Sequence, residues 1–338
     1  MKPHRTSLKD LAEELGVSIA TVSRALRNSH EVGEEMKQRV QQLAKEMNYR
    51  PNPFARSLRQ EAPKVIGVVV PNLVTHYYAG VLNGIEERAR QDGYSVISSN
   101  SHERFEMEVA AVDNFIDMHV AGIIACLAQD TVDYSHFRNI HKMGIPLVFF
   151  ARTCLPELFS SVTGNGDTAA QEATEHLIVN GCKRIAFIGG PNHLDMVRRR
   201  KHGYLEALRD HRIPIDREIV SCGPIDTQLM QEATERMLSL PNRPDAIIAF
   251  NDIATYAAYQ TVKRIGLRIP DDVAIVGFTD TETCEYVTPS ITTIEDQTNL
   301  QGQTVCEMLF KHIKGDTKVR KEVVPMRLCI RESSVRRN

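Results

Sequence analysis

A chain of 338 residues exceeds one small core, and at one domain per roughly 150 residues it should divide into two or three. Hydrophobic residues at 42% and charged residues at 25% are ordinary globular values, which exclude a wholly disordered chain. The formal net charge of −2 is uneven: residues 1–62 hold 11 Lys and Arg against 8 Asp and Glu, the rest 30 against 35, so the basic end points at an anion and the acidic body away from it.

Seven cysteines without a Cys-x-x-Cys pair read as buried thiols in a reducing cytosol, not as a disulfide frame or a zinc site. The basic N-terminus leads into no apolar stretch and no run is long enough to span a membrane. A soluble cytoplasmic protein without signal peptide, membrane partner, metal or cofactor is therefore expected.

The first fifty residues carry helix signals only. Ser7 is an N-cap with Asp10 three residues on, and Leu8, Leu11, Ala12 and Leu15 form an apolar stripe that Gly16 ends. Ser18 caps a second helix that turns Val22, Ala25 and Leu26 inward and leaves Ile19, Ala20, Thr21 and Arg24 outward. A third helix, over 34–48, buries Met36, Val40, Leu43, Ala44 and Met47. Tyr49 to Pro53 breaks the pattern, and residues 54–60 are too short to form a stable helix alone.

From Lys64 apolar strands alternate with helices: 65–70, a helix around 78–91, 94–98, a helix around 106–118, 121–127 and 146–150. A second series runs 184–189, a helix near 200–209, 218–221, a helix near 228–238, 246–250, a helix over 254–265, and 273–278. This alternation implies parallel sheets covered on both faces, in two similar lobes. Residues 290–294, a helix over 299–313 and a strand over 323–330 do not fit a simple tandem, so the chain should cross between lobes more than once. The expected fold is a small all-α helix-turn-helix domain followed by a two-lobed, doubly wound α/β body.

A DNA-reading helix-turn-helix needs a small residue in its turn, a second helix whose outward residues fit the major groove, and polar groups to hold phosphates. Gly16-Val17-Ser18 and Ile19-Ala20-Thr21-Val22-Ser23-Arg24 supply them. Together with Ser7 to Ala12, Asn48-Tyr49, Pro51-Asn52 and Ala55-Arg56-Ser57-Leu58, they make the chain resemble the lactose/galactose repressor family of bacterial transcription regulators, in the same order and spacing and as far as about Ser333.

The resemblance implies that Ile19, Ala20 and Arg24 face base edges. Arg24 can pair bidentately with guanine, while Ile19 and Ala20 offer apolar contact to thymine methyls. Ser7, Ser18, Thr21 and Ser23 would position phosphates, although Thr21 can equally bury its methyl in the bundle. The stretch containing Asn52, Ala55 and Arg56 would be a hinge helix that forms on DNA, with Leu58 as a wedge kinking the duplex. The expected divisions are residues 1–50 (DNA-binding), 51–62 (hinge) and 63–338 (effector-binding and dimerisation), with lobe 1 over 63–162 and 293–322 and lobe 2 over 163–292 and 323–334.

Open parallel sheets bind ligands beyond the carboxyl ends of their strands. Tyr77 and Tyr78 follow the first strand, and one of the two should be lobe core. The family likeness adds Arg200, three residues before Gly203-Tyr204, and Asn251-Asp252 after the strand at 246–250. Thr279 and Ala151 stand where relatives often carry aspartate, as does Gly164 before Asn165. A cleft short of carboxylates, with Arg152, Arg200, His193 and His202 nearby, points to a sugar derivative such as a sugar acid or phosphate. No carboxylate pair suits a glycosidase, and Gly189-Gly190-Pro191 lacks dinucleotide spacing, so no enzyme is expected. The function expected is an effector-controlled homodimeric repressor on pseudo-palindromic operator DNA. A two-lobed sugar carrier without a DNA function is the alternative, and the helix-turn-helix opposes it.

Overall fold

The computed structural model describes residues 6–49 and 64–336, which fall into two compact units. The first is a three-helix bundle of α1 (Leu8–Leu15), α2 (Ile19–Leu26) and α3 (Glu34–Glu46). Leu11, Ala12, Val22, Ala25, Val32, Val40 and Ala44 form its core, with Met36, Leu43 and Met47 half-buried at its edge. Ser7 closes a reciprocal capping box with Asp10: its hydroxyl accepts from the Asp10 N–H at 3.3 Å and its own N–H donates to the Asp10 carboxylate at 2.7 Å. Gly16 ends α1 at φ 64°, the left-handed conformation glycine adopts without strain. The hinge residues Asn52, Ala55, Arg56 and Leu58 lie outside the described residues.

The second unit holds two sheets of like topology. Lobe 1 contains β1 (Val65–Val70), α4 (His76–Gln91), β2 (Ser95–Asn100), α5 (Phe105–Asp117), β3 (Gly122–Ala125), α6 (Ser135–Lys142), β4 (Leu147–Phe150) and β5 (Ser160–Gly164). Lobe 2 contains α7 (Gly166–Val179), β6 (Ile185–Gly189), α8 (Asp195–Asp210), β7 (Val220–Cys222), α9 (Thr227–Leu238), β8 (Ala246–Ala249), α10 (Asp252–Arg264), β9 (Ala274–Phe278), α11 (Thr283–Tyr286) and β10 (Thr292–Glu295). The chain then returns through α12 (Thr298–Ile313) and β11 (Lys321–Val324) to lobe 1 and ends in lobe 2 with β12 (Arg327–Cys329). The strand orders are β11-β5-β4-β3-β1-β2 and β12-β10-β9-β8-β6-β7, all parallel except the β10–β12 pair.

Strand β1 shows why both faces are covered. Ile66, Val68 and Val70 meet α4 and α12 on one side, while Val69 joins Val112, Phe115, Phe137 and Ile140 from α5 and α6 on the other. Such two-sided burial requires a near-continuous apolar strand, which Val-Ile-Gly-Val-Val-Val provides. In lobe 2 a single core gathers Phe187, Tyr204, Ile248, Phe250, Val276 and Phe278.

Three expected boundaries move. Strand β5 keeps residues 163 and 164 in lobe 1. Strand β10 pairs with β9, so residues 293–295 belong to lobe 2, and 323–324 stay in lobe 1 through β11–β5 pairing. The three crossings therefore follow Gly164, Glu295 and Val324.

Candidate functional sites

In the bundle, the Ser18 hydroxyl accepts from the Thr21 N–H at 3.1 Å, which starts α2 abruptly at Ile19. The first turn thus presents Ile19, 44% exposed, and Ala20 to solvent, with Arg24 one turn on. An isoleucine at the start of a short helix gains nothing by that exposure. Thr21 and Ser23 are half-buried, and the Thr21 hydroxyl is already bonded to Ser18 at 2.9 Å. The Ser23 hydroxyl and carbonyl accept from Arg27 at 3.4 and 3.1 Å. One partner was not legible in the sequence: Glu31 holds Arg24 in an exposed ion pair at 3.1 Å.

The cleft of the second unit encloses about 910 Å³, its open mouth included. Tyr77, Tyr78, Arg152, Arg200, Asn251, Asp252 and Thr279 all line it, as strand-end logic requires. They differ in how far they are free. Tyr78 is the core member of its pair, its ring edge-on to Phe150 and to Tyr77. Tyr77 donates its hydroxyl to Gln301 at 2.7 Å. Asn251 spends its side-chain oxygen capping α10, accepting from Ala254 N–H at 2.9 Å, and Asp252 accepts from the Ile253 N–H at 2.9 Å.

The expectation of a carboxylate-poor cleft is overturned, because Glu103, Asp195, Asp252 and Asp296 all line it. Glu103 binds Arg152 through both oxygens, at 2.6 and 3.0 Å. Arg200 donates to Asp296 at 3.1 Å and to the Phe250 carbonyl, and its guanidinium lies 4.1 Å over the Phe278 ring. Neither arginine is thus an uncompensated cation. His202 faces out from α8 toward Glu206, and His193 bonds the Gln129 carbonyl, so neither lines the cleft.

Burial decides the electrostatics here. It pushes the Asp296 carboxyl upward against the pull of Arg200 and the Thr279 hydroxyl, and it pushes the Arg200 guanidinium downward against Asp296. Burial likewise raises Asp252 and Tyr77. Asp296 Oδ2 and the Nε atoms of Arg152 and Arg200 are buried without a hydrogen-bond partner among the described residues. Buried polar atoms of that kind are costly. Strain collects at equivalent places in the two lobes: Ala151, after β4, has φ 53°, and Thr279, after β9, has φ 72°, a conformation that a β-branched residue rarely adopts. Glu103 and Asp296 follow β2 and β10 closely, so the strand-end rule applied to those two strands would have found them.

A capped helix-turn-helix with an outward apolar and arginine face, joined to a two-lobed body with a polar cleft at the strand ends, defines a DNA-binding regulator with a small-molecule site. Residues 7–52 match the bacterial regulatory proteins of the lacI family, and residues 174–334 match the periplasmic binding protein-like domain. The probable HTH-type transcriptional repressor ExuR of Bacillus subtilis is 32% identical over 332 residues, 97% of this chain and 98% of that protein. The ribose operon repressor of the same organism is 30% identical over 308 residues, 91% of this chain and 92% of that one. Among solved structures, the lac repressor dimer bound to operator and the anti-inducer ONPF superposes with TM-score 0.86 at 26% identity, covering 98% of this chain and all of that one. The chain belongs to the lacI family of bacterial transcriptional regulators.

Proposed function

We propose that the chain is a cytoplasmic homodimeric repressor whose grip on pseudo-palindromic operator DNA is changed by a sugar or sugar derivative in the cleft, with no reaction catalysed. The observation that carries this reading is the solvent-facing start of α2. Ile19 and Ala20 beside Arg24 form a surface that a free bundle has no reason to build and that the major groove rewards, arginine on guanine and alkyl groups on thymine methyls. The operator-bound dimer of the lac repressor supports the partner and the stoichiometry, and the name of the ribose operon repressor supports the ligand class. Ser18, Thr21 and Ser23 take phosphate-positioning roles by donating the O–H and backbone N–H groups not spent within the bundle, whereas Ser7 donates both its N–H and its hydroxyl to Asp10 and reaches a phosphate only by releasing it. Asn52, Ala55, Arg56 and Leu58 act as the hinge and its minor-groove wedge.

For the cleft, the paired arginines shift the reading away from phosphates. Tyr77, Tyr78, Arg152, Arg200, Asn251, Asp252 and Thr279 receive an uncharged polyhydroxylated ligand, whose hydroxyls exchange hydrogen bonds with the polar groups that line the cleft. The cleft carboxylates argue against catalysis: Glu103 and Asp296 each face an arginine, and Asp252 accepts from its own helix start. Titration calorimetry with neutral pentoses and hexoses, sugar acids and sugar phosphates tests this. Heat from a neutral sugar is expected, and binding of sugar phosphates alone would overturn it.

A further inference from the structure

The loop after β3, residues 126–131, is held by two carboxylates of lobe 1. Glu108, fully buried, accepts from the Ala128 N–H at 2.6 Å and the Thr131 hydroxyl at 3.0 Å, and bonds His136 Nε2 at 3.0 Å. Glu103 accepts from the Gln129 N–H at 2.8 Å while its other contacts hold Arg152, which itself donates to the Leu127 carbonyl at 3.1 Å. A buried carboxyl group is costly unless it is hydrogen-bonded, and both of these make their bonds to the loop and to the side chains beside it. The arrangement therefore fixes what the loop presents, which is Gln129.

Gln129 reaches the other lobe twice. Its side-chain oxygen accepts from the Ile225 N–H at 2.8 Å, and its carbonyl accepts from His193 Nε2 at 2.6 Å. Ile225 lies just before α9 and His193 just before α8, both in lobe 2, and Ile225, Glu103 and Arg152 line the cleft.

We infer that Gln129 is a latch that holds the two lobes together at the rim of the cleft, and that Glu103 is the positioning residue linking this latch to Arg152 inside. The lobes separate only by breaking both Gln129 bonds. A ligand that draws Arg152 toward itself competes with Glu103 and loosens the loop amide that Glu103 holds, so cleft occupancy and lobe angle are coupled through one carboxylate. The latch stands on geometry alone, and only this last coupling rests on the cleft being the ligand site.

Hydrogen exchange of the full chain without ligand, resolved to single amides, tests the latch. Gln129→Ala should speed exchange of the Ile225 amide at least tenfold and leave the Met230 amide, bonded within lobe 2 to Asp226 O, unchanged. Glu103→Gln, which keeps an acceptor for the Gln129 N–H but removes the carboxylate that faces Arg152, should give a smaller acceleration at Ile225. Equal Ile225 exchange in wild type and Gln129→Ala would overturn the latch. Acceleration with Gln129→Ala but none with Glu103→Gln would overturn the positioning role of Glu103. Neither result bears on DNA binding, so a failure of the functional reading remains distinguishable.

Discussion

At the scale of single residues, Arg24 is paired with Glu31 in the free bundle, and the proposed function gives it a competing partner, a guanine edge on DNA. An exposed ion pair is worth only about 0–1 kcal/mol, less than the ~1–3 kcal/mol of a bidentate base contact, so DNA should win. Arg24→Ala should weaken operator binding by that larger amount and relax sequence preference, whereas Glu31→Gln should tighten binding to any duplex by removing a competitor and a negative charge. Fluorescence anisotropy on operator and scrambled DNA reads both. The Arg200–Asp296 pair makes the opposite case, since burial disfavours each charge and apolar residues of like volume can match such a pair in stability. Replacing both residues, Arg200→Met with Asp296→Leu, should leave thermal stability equal or higher while abolishing ligand binding. The pH dependence follows from the raised carboxyl. The native chain keeps a proton on Asp296 where the unfolded chain has lost it, so this group adds stability as pH falls through its raised value and levels off below the ordinary carboxylate value. Asp296→Asn should remove that slope in denaturant titrations at stepped pH.

At the scale of elements, α8 sets the cleft by its register. Gly203 faces the Asp167 carbonyl of α7 so closely that a Cβ would overlap it, and Arg200 lies one turn earlier, facing into the cleft. Gly203→Ala should cost about 1–3 kcal/mol in chemical denaturation and displace Arg200, lowering ligand affinity as well. Most strands and long helices were legible because their apolar periods are strong, as in β1 and in α9. The elements without an expectation lack that contrast. Strand β5 reads Ser-Ser-Val-Thr-Gly, and its buried Ser160 is satisfied by the Arg320 N–H at 2.9 Å and by His312 at 2.8 Å, partners about 150 residues away. Helix α7 buries Ala169, Ala170, Ala173 and Thr174, small residues that leave no stripe of large side chains. Helix α6 has only Phe137 and Ile140 to mark its inner face. Among the cleft residues, those in the first turn after a strand were legible by position. Glu103 and Asp296 also follow strand ends, those of β2 and β10, and the same rule reaches them; what was not legible is their pairing with Arg152 and Arg200, and the bonds of Gln129 outside the cleft lining, because these join distant segments.

At the scale of the whole molecule, a reader of few hydrogen bonds is linked in one chain to a sensor with two lobes. With Ile19 and Ala20 apolar, the proposed function rests selectivity on Arg24, on the spacing of two half-sites in a dimer and on a kink assigned to Leu58. Leu58→Ala should therefore weaken operator binding and leave non-specific binding nearly intact, and equal losses on both DNAs would count against the wedge. Sedimentation should give a dimer at operator-binding concentrations. The most direct measurement is selection of bound sites from a pool of random duplexes by the purified full-length protein. The account predicts enrichment of a pseudo-palindrome with two like half-sites, bound at least about 10³-fold more tightly than random DNA. A pool that stays random after repeated rounds would contradict it.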